Sequence, residues 1–250
     1  MAQFPDSGRS ASPRFDRTRW SIVLAAGLQS SPDAAVAFEQ LCASYWYPLY
    51  AFVRREGYQQ AEAQDLTQGF FASLLQRHDL QRVHPDKGRF RSFLLAALKN
   101  YLLNEWDRAR AQKRGGGRPL FSLDFDLAES KLGSEQAGTT TPEFDFQRQW
   151  ALTLLAYVQE QLKSDMSAKG RGDLYDALLP HLAGEPGAAK YTELADLLGM
   201  TEAAVKMAMS RLRKRYRALL REEIAQTVSG EVEIDDEIRD LFDALRRPNA

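Results

Sequence analysis

Hydrophobic positions along the chain recur with helical spacing. Val36, Phe38, Leu41, Tyr45 and Leu49 predict one helix, with Ser31 as its cap, Pro32 at its first position and Asp33 in its first turn. Pro48 lacks a donor N–H and is expected to bend or break that helix, with Tyr50, Phe52 and Val53 carrying the apolar content on to Gly57. Residues 60–77 form a second amphipathic stretch. Leu66, Phe70 and Leu74 line one stripe, Phe71 and Leu75 sit beside it, and Glu62, Asp65 and Gln68 take the other face. That polar face reads either as solvated surface or as a docking surface. A loop, HPDKG at 84–88, precedes a third helix whose inner face is Phe90, Phe93, Leu94, Ala97, Leu98, Tyr101 and Leu102. Trp150, Leu154, Leu155, Val158 and Leu162 predict another, and Leu174, Ala177, Leu178 and Leu182 one more, ending at Gly184. At the start, residues 20–26 make a short apolar turn closed by Gly27, and residues 1–17, rich in Ser, Pro, Arg and Asp, read as disordered.

The pattern is most specific over residues 191–210, YTELADLLGMTEAAVKMAMS. Leu194, Ala195 and Leu198 give a first helix its apolar face. Gly199 supplies the left-handed residue that ends it. Thr201 is a good N-cap for the next helix, whose inner face is Val205, Ala208 and Leu212. A small Ala195 and a wedge at Val205 suit a helix-turn-helix, in which the second helix enters the major groove of DNA. Lys206, Arg211, Arg213, Lys214, Arg215, Arg217 and Arg221 follow, seven positive charges in sixteen residues with no acid among them. Alone, such a run is a solvated helix face; joined to the turn pattern it points to phosphate neutralisation.

Charge and composition narrow the picture. The formal net charge is −1, so nucleic-acid binding must rest on local patches. One such patch is the distal half of the third helix, where Lys99, Arg108, Arg110, Lys113, Arg114 and Arg118 outnumber Glu105 and Asp107. Aromatics among basic residues suit single strands, whose bases stack on rings; Tyr101 reads as core, and Trp106 is open to either role. The single cysteine, Cys42, allows no internal disulfide and fits a reducing compartment. No apolar run is long enough for a membrane helix, and the N-terminus lacks a signal-peptide core, so a cytoplasmic protein is expected. His78, His84 and His181 show no metal-ligand spacing with Cys42, and Gly115, Gly116 and Gly117 lack the lysine and hydroxyl of a P-loop. No catalytic or metal residues and no cofactor are assigned. Residues 115–147, rich in Gly, Ser, Thr and Asp, read as a linker in which Phe121, Leu123 and Phe125 alternate and dock briefly on a neighbour. After Thr227, Glu231, Glu233, Asp235, Asp236, Glu237, Asp240 and Asp243 combine with Ile234, Ile238, Leu241, Phe242 and Leu245 in an amphipathic acidic helix, expected to pack on its own domain.

From about Val36 to Glu223 the order and spacing of these parts resemble the extracytoplasmic-function (ECF) sigma factors of bacterial RNA polymerase. Asp65, Leu66, Gln68 and Phe71 match the signature DLxQxxF, which in that family docks on the clamp helices of the largest polymerase subunit. Residues 90–114 resemble the helix that melts and reads the −10 promoter element, and the helix-turn-helix at 191–210 the unit that reads the −35 element. The resemblance implies an all-α protein of two small helical domains without catalysis of its own. Residues 18–114 would form the polymerase- and −10-binding domain, 115–147 a flexible linker, 148–227 the helix-turn-helix domain, and 228–250 an acidic extension. Core RNA polymerase, including its flap, and promoter DNA are the implied partners, with an anti-sigma protein as a further one. Carried over residue by residue, Asp65 and Gln68 contact polymerase. Asn100, Asn104 and Arg108, with Lys87 and Arg89 in the preceding loop, hold the opened −10 strand. Thr201, Glu202, Lys206, Ser210, Arg211 and Lys214 face bases or phosphates of the −35 element. The stretch from Lys163 to Pro186 is longer than usual for the family. The segment at 18–27 and the acidic tail are additional.

Two other readings stay open on the residues alone. A free-standing helix-turn-helix regulator would bind duplex DNA without polymerase, usually as a dimer. A nucleic-acid enzyme would need a carboxylate cluster, for which only Glu62 and Asp65 have useful spacing.

Overall fold

Each of residues 49–53 is 1% exposed or less. A helix buried at five consecutive positions is covered on every side rather than along one stripe. The computed structural model describes residues 32–76, 89–111, 124–134, 140–228 and 230–246, and among these the fold is all-α, with no strand. The helices are α1 (Pro32–Arg55), α2 (Gln60–Gln76), α3 (Phe90–Ala111), α4 (Phe125–Ser134), α5 (Pro142–Ala168), α6 (Gly172–Ala183), α7 (Tyr191–Leu198), α8 (Glu202–Ala225) and α9 (Glu231–Leu245). The readings for residues 1–17 and 20–26, Ser31, the HPDKG loop with Lys87, and the glycines at 115–117 lie outside the described residues. So do those for His78, His84 and the side chain of Cys42.

What covers α1 is α2 on one side and α5 on another, with α3 and α4 adding smaller contacts. Pro48 does not break the helix. α1 runs through it, because one missing hydrogen bond is outweighed by burial of Tyr47 and Leu49 on either side. On α2 the buried positions are Ala63, Thr67, Phe70, Phe71 and Leu74. Thr67 satisfies its hydroxyl by donating to the Ala63 carbonyl at 2.7 Å. Gly69 lets α3 approach: a methyl there would collide with the hydroxyl of Tyr101, whose ring meets Phe70 edge-on at 5.8 Å. Tyr101 is thus a packing residue, as its position on the inner face suggested.

The stretch read as a linker departs most from expectation. Residues 125–134 form α4, and α5 starts at Pro142, ahead of the boundary placed at 148. Thr141 caps α5 by accepting the Phe144 N–H at 3.3 Å, with Pro142 in the first turn and Glu143 and Asp145 favourably placed against the helix dipole. Phe125, 8% exposed, inserts edge-on between Trp46 at 5.6 Å and Tyr50 at 5.0 Å, so its docking on α1 is part of the core. Phe121 and Leu123 are outside the described residues. The low apolar content of the segment concealed a helix anchored by a few contacts.

α5 belongs to both halves of the protein. Its first half lies antiparallel along α1, with Arg55 Nε 3.0 Å from Asp145 at one end and Tyr45 beside Trp150 and Tyr157 at the other. Its second half carries α6 and α8: Tyr175 donates to the Gln159 carbonyl at 3.2 Å, and Arg215 pairs with Asp165 at 2.8 Å. The tail helix α9 packs on α5 and α8. Ile234 and Leu241 are its buried anchors, and its acids Glu237 and Asp240 reach across to Arg89 and Arg91 at the start of α3, so it does not pack on the back half alone.

The charged anchor of α4 yields a pH prediction. Glu129 accepts hydrogen bonds from the Tyr50 hydroxyl and from Arg54 Nε at 2.7 Å and Nη2 at 3.1 Å. The Arg54 hydrogen bonds hold the Glu129 carboxyl below the usual carboxylate range, against the opposing effect of burial. A carboxylate with a depressed folded pKa adds stability that is fully present above its unfolded value and is lost as pH falls through the folded one. α4 should therefore loosen from α1 below about pH 4. Glu129→Gln should cost about 1–3 kcal/mol at neutral pH and flatten the acid limb of stability measured by urea unfolding. An unchanged acid limb would count against the pairing.

Candidate nucleic-acid interface

The basic run on α8 is set up by its own first residues. α7 ends at Gly199, which takes φ +61°, and Thr201 caps α8 by accepting the Ala204 N–H at 3.2 Å. At the other end of α7 the Lys190 N–H donates to the Glu193 carboxylate at 3.1 Å. α7 packs on α8, and Leu194 and Ala195 on the one and Val205, Met209 and Leu212 on the other are all buried, so the angle between the two helices is fixed by packing. His181, read as a surface or satisfied residue, lies 2.7 Å from the Ala189 carbonyl and stacks on Tyr191 at 4.6 Å, tying α6 to the start of α7.

The seven cations are not equivalent. Arg215 is held by Asp165 at 2.8 Å and Glu222 at 3.5 Å, and Arg221 by Asp235 of α9. Lys206 pairs with Glu202 one turn back, at 2.5 Å. Arg211 rests its guanidinium on the Met207 sulfur at 3.1 Å, and Arg213 reaches the His181 carbonyl at 3.5 Å. Tyr191, Lys206, Met209, Ser210, Arg213, Lys214 and Arg217 line an open groove of about 430 Å³. The spacing 206, 210, 213, 214, 217 is one face of a helix. Of the six residues read for this unit, Lys206, Ser210 and Lys214 share that groove, while Glu202 and Arg211 flank it and Thr201 is occupied in capping. Arg213, Arg217 and Tyr191 were missing from that reading. The first two follow from the helical period counted on from Lys206; Tyr191 does not.

On α3, Asn100 and Asn104 are exposed one turn apart. Leu103 is 64% and Trp106 52% exposed, and both line a groove with Phe52, Tyr58 and Leu102. Lys99, counted among the basic residues of this helix, is instead paired with Glu143 of α5, 5.6 Å over the Phe52 ring. The side chain of Arg108 is outside the described residues, as is Lys87. Arg89 does not point freely from a loop: its Nε lies 2.9 Å from Glu237, and its Nη1 is bonded to Asp240.

On α2, Asp65 is exposed and Gln68 half-buried, one turn apart. Leu66 packs against the core, and Phe71 is 2% exposed. Phe71 therefore offers little surface to a partner: its ring is buried in the core beside its neighbour Phe70, at 5.6 Å. Among the described residues no three His, Cys, Asp or Glu side chains cluster as metal ligands, and no helix is long and apolar enough to cross a membrane.

A family model described as ECF sigma factor matches residues 33–230. The chain belongs to the ECF sigma factor family. No curated protein and no solved structure matches it. Membership gives this ECF sigma factor a role in transcription initiation through promoter recognition. The matched stretch ends at residue 230, and α9 begins at Glu231, outside it.

In this sigma factor the hydroxyl of Thr201 is committed to the α8 cap, which makes its substitution a test of stability first. Thr201→Ala should destabilise the protein by about 1 kcal/mol in thermal unfolding, and Thr201→Ser should restore most of the loss. Equal stability of all three proteins would mean that the cap does not form.

Proposed function

We propose that this ECF sigma factor binds core RNA polymerase through the α2 face carrying Asp65 and Gln68. In this reading the face meets the clamp helices of the largest subunit, and the α5–α8 half meets the flap. α3, with Asn100, Asn104 and Arg108 and the preceding Lys87 and Arg89, takes the −10 element. α8, with Lys206, Ser210, Arg211 and Lys214 joined by Arg213 and Arg217, takes the −35 element. Leu66 and Phe71 act from beneath, holding α2 in register. The protein has no chemical step of its own. It works in the cytoplasm and lowers the cost of strand opening by stacking and pocket contacts that only the opened strand makes. An anti-sigma protein covering α2 would be the natural antagonist.

The observation that carries this reading is the sorting of charge on α8. Arg213, Lys214 and Arg217 line one groove with a capped turn in front, beside Lys206, which is held by Glu202 of the same helix, while Arg215 and Arg221 are drawn away to Asp165 of α5 and Asp235 of α9. A merely solvated helix face would have no reason to separate its cations in this way.

The test is run-off transcription with purified core polymerase over a library of promoter fragments. Parent protein should start transcription at a defined set of sites, and Asp65→Ala with Gln68→Ala should abolish this while leaving the fold intact by circular dichroism. Arg213→Ala, Lys214→Ala and Arg217→Ala together should weaken holoenzyme binding to duplex promoter fragments and lower the salt slope of log K by about 2–3. A footprint by the protein alone on duplex DNA, with no initiation, would replace this reading with a free-standing regulator.

A further inference from the structure

The residues that begin α3 are not available to a ligand in this structure. Arg91, 5% exposed, gives Nε to Glu237 at 2.6 Å and Nη2 to Glu237 at 3.0 Å and to Asp240 at 2.9 Å. Arg89 joins the same two acids. Arg91 also lies 4.5 Å over the Trp150 ring of α5. The Phe90 N–H, a donor at the helix start, goes to the Thr227 carbonyl at 3.3 Å, just past the end of α8. Three consecutive residues of the front half are thus tied to α5, α8 and α9 of the back half.

This tie limits the reach of the protein. Asn100 is ten residues along α3 from Phe90, and Lys206 is twenty-one residues along the chain from Thr227. At 1.5 Å per helical residue they stand no more than about 55 Å apart while the Phe90–Thr227 bond holds. Promoter elements named −10 and −35 are about 25 base pairs apart, roughly 85 Å along a duplex. The two DNA-facing surfaces cannot both be engaged until that bond and the arginine cluster release and the α1–α5 seam yields with them.

We propose that α9 is an intramolecular clasp: Glu237 and Asp240 hold Arg89 and Arg91 in place of nucleic-acid phosphate and keep the two halves closed until polymerase binds. The proposal rests on the functional reading above, since it concerns the same Arg89 and α3. Opening exchanges carboxylate partners for phosphate partners, an exchange of similar charge-assisted bonds that leaves neither arginine unpaired. The acids of the cluster lie on a helix beyond the family-matched stretch.

The test compares full-length parent, Asp240→Asn and Asp236→Asn. Asp240 is 44% exposed and touches both arginines, while Glu237 still pairs with Arg91 in its absence, so the fold should survive. Asp236 is 45% exposed and pairs with Arg239 on α9 itself, so its substitution changes charge equally away from the cluster. Asp240→Asn should raise affinity for a fluorescein-labelled 20-nucleotide single-stranded DNA by about 3-fold over Asp236→Asn, and open-complex formation at limiting protein similarly. Amides of residues 231–245 should lose hydrogen-exchange protection when core polymerase is added. Equal gains in the two variants, or amides that stay protected in an initiating complex, overturn the clasp alone. No initiation and no DNA binding by any of the three proteins overturns the functional reading with it.

Discussion

The packing of α5 along α1 is the interaction on which everything else rests. Over residues 49–53 α1 is too apolar to face water on any side, so it requires a long partner, and α5 supplies one. Phe146, Trp150 and Ala151 fill the α1 side, while Val158 and Leu162 continue into the back half. Burying such side chains is worth about 1.5–3 kcal/mol each, which makes the seam a cooperative part of the core. Because one helix serves both seams, the front half with α2 and α3 and the back half with α6 to α8 are positioned relative to each other.

That arrangement explains how the buried charges are tolerated. Arg91 and Glu237 are both nearly inaccessible, a costly placement unless each is fully paired. They are paired with each other in two bonds, Asp240 accepts a further bond from Nη2, and the Trp150 ring covers the guanidinium face. Tyr45, beneath them, has its phenol pushed up by burial and then by the nearby Glu237, so it stays neutral and adds no competing charge. A cluster of this kind contributes little net stability compared with apolar packing, yet it forbids most alternative placements of α9. Its value is orientation.

The same logic sorts the surface cations. An arginine within reach of an acid on another helix is a structural fastener, as Arg54, Arg215 and Arg221 are. A cation whose helix face has no neighbouring element is left for a ligand. On α8 the boundary between these groups is set by where α5 and α9 happen to pass, and on α3 by where Glu143, Glu237 and Asp240 arrive.

Local properties are legible in the order of residues alone. The helical period places α2, α3 and the helices around Gly199; the cap at Thr201 and the left-handed Gly199 are readable because each depends on neighbours within four residues. The order of these units carries the family. What the chain does not disclose depends on contacts far apart in sequence. Pro48 stays helical because tertiary burial outweighs a local defect. α4 forms in a polar stretch because Phe125 and Glu129 find Trp46, Tyr50 and Arg54 some 75 positions away. Phe71, part of the docking signature that the family resemblance supplies, is buried in the core instead. Lys99, Arg89, Arg215 and Arg221 look alike as members of basic runs, and only the fold decides which has an acid waiting. Period and capping are short-range and written in the local order of residues; pairing of charges and closure of the two halves are long-range, and are settled only when α5 and α9 bring distant residues together.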